Sequence, residues 1–260
     1  MRFNYTTTIF LTAIILATNL ANAHQTTVKP IPTANKKYQL IINQITSNVF
    51  QHISYQKIKG YGMVPANGLI VTEGKSAYII DTPWTEADTE KLVIWIKEQG
   101  LTLKSSISTH SHEDRAGGVP YLNKLSIDTY ASKLTNELLT KNNKQATKHD
   151  LIMNNSSVSK PSFANGVIEV FYPGAGHSHD NIVVWLPEHE LLFGGCFVKS
   201  LSSKTLGYTG DANIAQWPAS MQNLIDKYPT VKQVVPGHGK IGDGKLLTHS
   251  KALALKVSAD

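Results

Sequence analysis

The chain has 260 residues, 41% of them hydrophobic, with 25 basic against 19 acidic side chains and a formal net charge of +6. That content supports a packed core and excludes a disordered chain, and the scattered lysines form no dense run of the kind a nucleic-acid surface needs. A single cysteine, Cys196, excludes an internal disulfide, so stability must come from the core.

From the N-terminus, Arg2 precedes a short apolar run, Ile9–Ala17, and Ala21–Ala23 offers small residues at both signal-peptidase positions. The expectation is a secretory signal over 1–23, a single domain over 24–260 and a periplasmic location. The apolar run is too short for a stop-transfer helix, so no stable membrane association is expected. His24–Tyr38 is polar and proline-containing. Strand-like runs rich in Val, Ile and Tyr follow at Tyr38–Ile45, Val49–Ile58, Gly68–Gly74 and Ser76–Pro83. Thr85–Gly100 reads as a helix, with acids in its first turns and Gly100 at its stop. Leu103–His110 is a strand, Gly117–Leu125 starts a helix, Ser126–Ser132 is a strand and Ser132–Lys144 a helix. In the second half, Val167–Gly174, Asn181–Glu188, Glu190–Gly195 and Lys232–Gly239 carry strands. Asn213–Tyr228, with Asp211 near its start, and Lys245–Lys256 are helical. The predicted class is α/β: an αββα sandwich of two mixed β-sheets with helices on the outer faces.

The chemically loaded residues fall where strands give way to loops. The first loop holds His110, His112 and Asp114. The others hold His177 in "PGAGHSHDN", Cys196 in "FGGCFVK" and His238 in "VVPGHG". On extended backbone His110 and His112 point to one side and can reach one ion. With His177 they would form a three-nitrogen site with an open fourth position, as a catalytic zinc requires. Asp114, Cys196 and His238 would form a second site whose thiolate favours zinc over harder ions. That use also accounts for a lone thiol in an oxidising compartment. His24, His52, His149, His189 and His249 lack such surroundings and are assigned to the surface. The role of His179 is open, and Ser111 and Glu113 are given none. Gly117 and Gly118 are expected to let the chain turn tightly into the next helix.

At these residues the chain resembles the class B metallo-β-lactamases, subclass B-1, and especially the enzymes first known for hydrolysing imipenem. The likeness runs roughly from Tyr38 to Gly242 and includes "GYGMVPANGLIV", "DTPWTEADTEKLV", "LFGGCFVK" and "VVPGHG". It implies two Zn2+ per chain, held by the six ligands above, and hydrolysis of penicillins, cephalosporins and carbapenems. A metal-activated water would attack the lactam carbonyl, with Asp114 orienting it and no acyl-enzyme. Lys199 stands where the family binds the substrate carboxylate. Tyr208 stands where many members carry an asparagine that donates toward the carbonyl oxygen, which puts substrate range in doubt. Lys57–Gly68 resembles the family's mobile flap, with Tyr61, Met63 and Val64 pressing on the substrate. Arg115 stands where glyoxalase-type relatives place a metal-binding histidine. The expected partner is a small-molecule β-lactam, without nucleic acid, for a monomer. The competing readings are a secreted zinc hydrolase of another ester, thioester or lactone, and a non-catalytic zinc-binding protein.

Overall fold

A computed structural model of the chain describes residues 38–154, 157–158 and 166–258. The expected export signal over 1–23 and His24 lie outside the described residues. Seven strands form the first sheet in sequential order: β1 (Ile41–Gln44), β2 (Val49–Ile58), β3 (Gly62–Glu73), β4 (Ser76–Ile80), β5 (Thr102–Ser108), β6 (Asp128–Ser132) and β7 (His149–Leu151). β1 to β4 pair antiparallel and β4 to β7 parallel. The second sheet holds β8 (Met153–Asn154), β9 (Ser157–Val158), β10 (Glu169–Phe171), β11 (Val183–Leu186), β12 (Leu191–Gly195) and β13 (Gln233–Pro236), in the order 13-12-11-10-9-8. Only β12 and β13 run parallel there. Both sheets are therefore mixed, as expected.

Alternation along the strands builds the layers. Leu69, Val71, Ile80 and Ile107 of the first sheet meet Val170, Val184, Leu186, Phe193 and Val235 of the second in one central core. The intervening residues face outward. Ile70 and Ile79 pack on Leu92, Trp95 and Ile96 of α1 (Glu86–Glu98). Val183, Trp185 and Leu192 pack on Met221 and Leu224 of α5 (Trp217–Lys227) and on Leu246 and Leu247 of α6 (Lys245–Ser258). The result is the αββα sandwich. Among the described residues no helix is long and apolar enough to cross a membrane.

Local signals place most elements. Thr85 caps α1 by accepting from the Asp88 N–H at 3.1 Å, and Ser132 caps α4 (Lys133–Lys141) through the Thr135 N–H at 3.0 Å. Four details differ from expectation. The second-half helix begins at Trp217, not Asn213, because Pro218 lacks the N–H an interior position needs and belongs in the first turn. A one-turn helix, α2 (Glu113–Ala116), precedes α3 (Val119–Lys124), inside the stretch expected to be loop. The short strands β7, β8 and β9 carry too few residues for a readable alternation. Gly117 and Gly118 have negative φ (−60° and −93°), so no unusual turn requires them. They are needed because any side chain there would strike the Trp84 carbonyl or the Thr89 hydroxyl.

Candidate metal centre

All the loops expected to carry chemistry lie at one edge of the sandwich. β5 ends two residues before His110, β12 one residue before Cys196 and β13 two residues before His238. His177 follows β10 on its own loop. Across these loops His110 Nε2 lies 3.1 Å from His112 Nδ1, and His177 Nε2 lies 3.2 Å from the same atom. Cys196 Sγ is 3.2 Å from Asp114 Oδ2 and 3.2 Å from His238 Nε2, which is itself 3.1 Å from Asp114 Oδ2. The six expected ligands thus converge as two adjoining triads.

The donor set fits zinc. Tetrahedral bonds of ~2.0–2.3 Å space ligand atoms about 3.3–3.6 Å apart, within a few tenths of an ångström of these separations. Burial holds His110 and His177 well below the usual imidazole pKa, so both stay neutral with lone pairs free to coordinate. Burial alone would raise Asp114, but the charges of Arg115 and His238 outweigh it and hold the carboxyl well below its usual range. His238 is pushed up to about 9: burial works against its charge, and the neighbouring Cys196 and Asp114 overcome it. A buried cluster of a thiol, a carboxylate and four imidazoles has no packing value, and a cation resolves its mutual crowding.

Supporting contacts orient these side chains. His238 Nδ1–H donates to the Pro65 carbonyl at 2.6 Å, which turns Nε2 toward Cys196. Asn67 of β3 donates to the carbonyls of Pro236 and Gly239, at 2.8 and 2.9 Å, and braces that loop. His112 Nε2–H donates to Asp211 Oδ2 at 3.0 Å, leaving Nδ1 for the cluster. Arg115 is wholly buried and donates to Asp114, Asp81 and the carbonyls of Asn67 and Gly237. Asp81 also accepts from the Thr109 N–H and hydroxyl, at 2.6 and 2.8 Å. Burial pushes Asp81 up to about 7 against these donors.

A cavity of about 650 Å³ opens above the triads. Its walls include Lys199, Tyr208, Tyr61 and Val64, all expected to meet substrate, together with Trp84 and Leu206, which the sequence reading did not single out. Met63 is not part of the wall. Lys199 Nζ lies 5.2 Å from the Trp217 ring, and burial lowers its pKa. Tyr61 projects from the tip of the β2–β3 hairpin, 58% exposed, between Gly60 and Gly62, whose φ values are +84° and +79°. Tyr208 is half exposed, and its hydroxyl donates to Asp211 at 3.1 Å.

Three surface assignments change. His52 is buried, because the first half of β2 is covered on both faces, and its Nε2–H donates to the Asp81 carbonyl at 2.9 Å. His189 and His249 are half buried, the latter donating to the Ser203 carbonyl at 3.0 Å. His149 and His179 are exposed. Ser111 is buried and its N–H donates to Asp180 at 2.9 Å. Glu113 pairs with Lys144 at 3.2 Å on the cavity rim.

No family model matches the chain. It is 47% identical over 219 residues to the metallo-beta-lactamase type 2 of Pseudomonas aeruginosa, covering 84% of this chain and 85% of that protein. The crystal structure of VMB-1 matches it with a TM-score of 0.82 at 51% identity, over 86% of this chain and 100% of that one. The crystal structure of the metallo-beta-lactamase FIM-1 from Pseudomonas aeruginosa, in its mono-zinc form, matches with a TM-score of 0.81 at 33% identity, over 87% of this chain and 99% of that one.

Proposed function

This chain belongs to the metallo-β-lactamase family and hydrolyses β-lactams, and on that premise we propose that it does so with two zinc ions, as a subclass B-1 enzyme of the imipenem-hydrolysing type. The observation that carries this reading is the pair of adjoining triads, five of whose six members line one substrate-sized cavity, with His110 buried behind them and Lys199 in the wall.

His110, His112 and His177 would hold one ion, and Asp114, Cys196 and His238 the other. When bound, zinc lowers the pKa of coordinated water to about 7 and polarises a carbonyl oxygen as a Lewis acid. Asp114 is the catalytic residue contributed by the chain: its carboxylate, fixed by Arg115, orients the attacking water toward the lactam carbonyl carbon. Water adds there, the carbon–nitrogen bond of the ring breaks, and the departing nitrogen gains a proton. Lys199 binds the substrate carboxylate as a compact positive charge. Tyr61 and Val64 shield the apolar substituents from water. Tyr208 lines the same cavity.

Penicillins, cephalosporins and carbapenems are the proposed substrates. The proposed working form is a periplasmic monomer, exported by a signal over 1–23 and folded as one domain over 24–260. The test is nitrocefin hydrolysis by the purified protein. Activity should vanish with a chelator and return with zinc, at two zinc ions per chain by native mass spectrometry. A zinc-loaded protein that left nitrocefin intact while cleaving a thioester would overturn the reading.

A further inference from the structure

The segment Gly207–Asn213 ties together the two loops that carry the three histidines. At one end the Asn213 N–H donates to the carbonyl of Gly176, the residue before His177, at 2.8 Å. At the other, Asp211 Oδ2 accepts from His112 Nε2–H at 3.0 Å and from the Tyr208 hydroxyl at 3.1 Å. A turn closed by Ala212 N–H to the Thr209 carbonyl, at 3.1 Å, sets Tyr208 and Asp211 side by side. The Tyr208 ring stands edge-on to the His112 ring, centroids 5.7 Å apart. Gly210 permits this packing, since a Cβ there would fall on the Tyr208 hydroxyl and ring.

A phenol has one proton to give, and here Tyr208 gives it to Asp211 rather than to the cavity. A neutral imidazole has one N–H and one lone pair, so whatever fixes the N–H on Nε2 fixes the lone pair on Nδ1. Asp211 is more than half exposed, and a single contact to His112 would leave its carboxylate free to rotate into solvent. The second donor on the same oxygen removes that freedom.

We propose that Tyr208 is a positioning residue for the metal centre: its hydroxyl clamps Asp211 onto His112 and so holds His112 Nδ1 toward the three-histidine site. Tyr208 then contributes its ring, not a hydrogen bond, to the substrate subsite. The proposal rests on His112 being a zinc ligand.

The test is zinc affinity, read by competition with a chelating dye on metal-free protein, for wild type, Tyr208→Phe, Asp211→Ala and the double variant. Loss of a direct orienting partner costs ligand sites about 10- to 100-fold in metal affinity, the range expected for Asp211→Ala, which removes the acceptor that Asn would keep. Tyr208→Phe, acting one contact further out, is expected to weaken the three-histidine site about three- to tenfold. It should also shift the cobalt(II) absorption bands of the substituted protein. In the Asp211→Ala background Tyr208→Phe should do nothing further. Gly210→Ala, which displaces the ring, should reproduce Tyr208→Phe. Unchanged zinc affinity in Tyr208→Phe together with a raised KM for nitrocefin would make the tyrosine a substrate donor and overturn the proposal. Effects of the two variants that simply multiply would overturn it as well. His112→Ala separates the two levels. It should lose one zinc. Loss of that zinc beside an unaffected Tyr208→Phe removes only the tyrosine's role, whereas retention of both zinc ions removes the ligand assignment itself and the clamp with it.

Discussion

Arg115 donates twice to a single oxygen of Asp114, from Nε at 3.0 Å and from Nη2 at 2.8 Å, while its Nη1 reaches Asp81 at 3.2 Å. One guanidinium with no exposed surface therefore neutralises two buried carboxylates from different segments and aims one of them at the metal centre. Buried charges persist only when paired and hydrogen-bonded, and here the pairing also fixes the carboxylate of Asp114, a proposed zinc ligand.

Replacing Arg115 by Met should leave Asp81 buried without its counter-charge and Asp114 with His238 as its remaining cationic neighbour. The expected loss is about 3–5 kcal/mol of unfolding free energy in urea, measured on metal-free protein. Arg115→Lys keeps the charge but cannot supply paired donors to Asp114 in the same plane, so its stability should lie between the two. A Met variant within about 1 kcal/mol of wild type would show that the network does not carry the fold.

Cys196→Ser should reduce the zinc content from two ions per chain to one at micromolar free zinc. The serine hydroxyl is a far weaker ligand than a thiolate, and Asp114 and His238 alone make a poor site. The count is read by native mass spectrometry, and two retained ions would contradict the assignment of Cys196.

Lys199 places a partly buried ammonium on the wall of the cavity, 5.2 Å from the Trp217 ring. Lys199→Met should raise KM for carboxylate-bearing β-lactams roughly tenfold, the worth of one charge-assisted contact, with a smaller change in kcat. Removing a partly desolvated charge should leave the melting temperature unchanged or higher. A loss confined to kcat would place the lysine at the reacting atoms instead.

His52 carries a pH prediction. Burial lowers its pKa from 6.5 to about 4, so between those values the unfolded chain binds a proton that the folded chain refuses. Its contribution is fully present above about pH 6.5 and is lost as pH falls toward about 4, by up to about 3 kcal/mol. His52→Gln keeps an N–H donor for the Asp81 carbonyl and does not titrate. Urea midpoints of wild type and variant should therefore diverge between pH 6.5 and 4, the variant being the more acid-resistant. Parallel curves for the two proteins would refute this role.

Several things were readable in the linear chain, because each left a local mark. Runs rich in Val, Ile and Tyr marked the strands, and acids in the first turns with Gly100 at the stop marked the helix of Thr85–Gly100. His110 and His112 stood out by their spacing of two at a strand end, and His177, Cys196 and His238 as metal-binding types beside glycines. The partners of those residues left no such mark. Arg115 reads as one more charge in a polar run, yet it meets Asp81 34 positions away and the Gly237 carbonyl 122 positions away. Asp211 meets His112 across 99 positions, and Asn67 meets Pro236 across 169. His52 looked like a surface histidine because a strand of mixed polarity does not reveal that both its faces are covered. Residue type and local spacing determined which groups could bind metal and which segments form strands. Which charges neutralise one another, and in what orientation each ligand is held, was decided only when the two sheets closed face to face and brought distant loops to one edge.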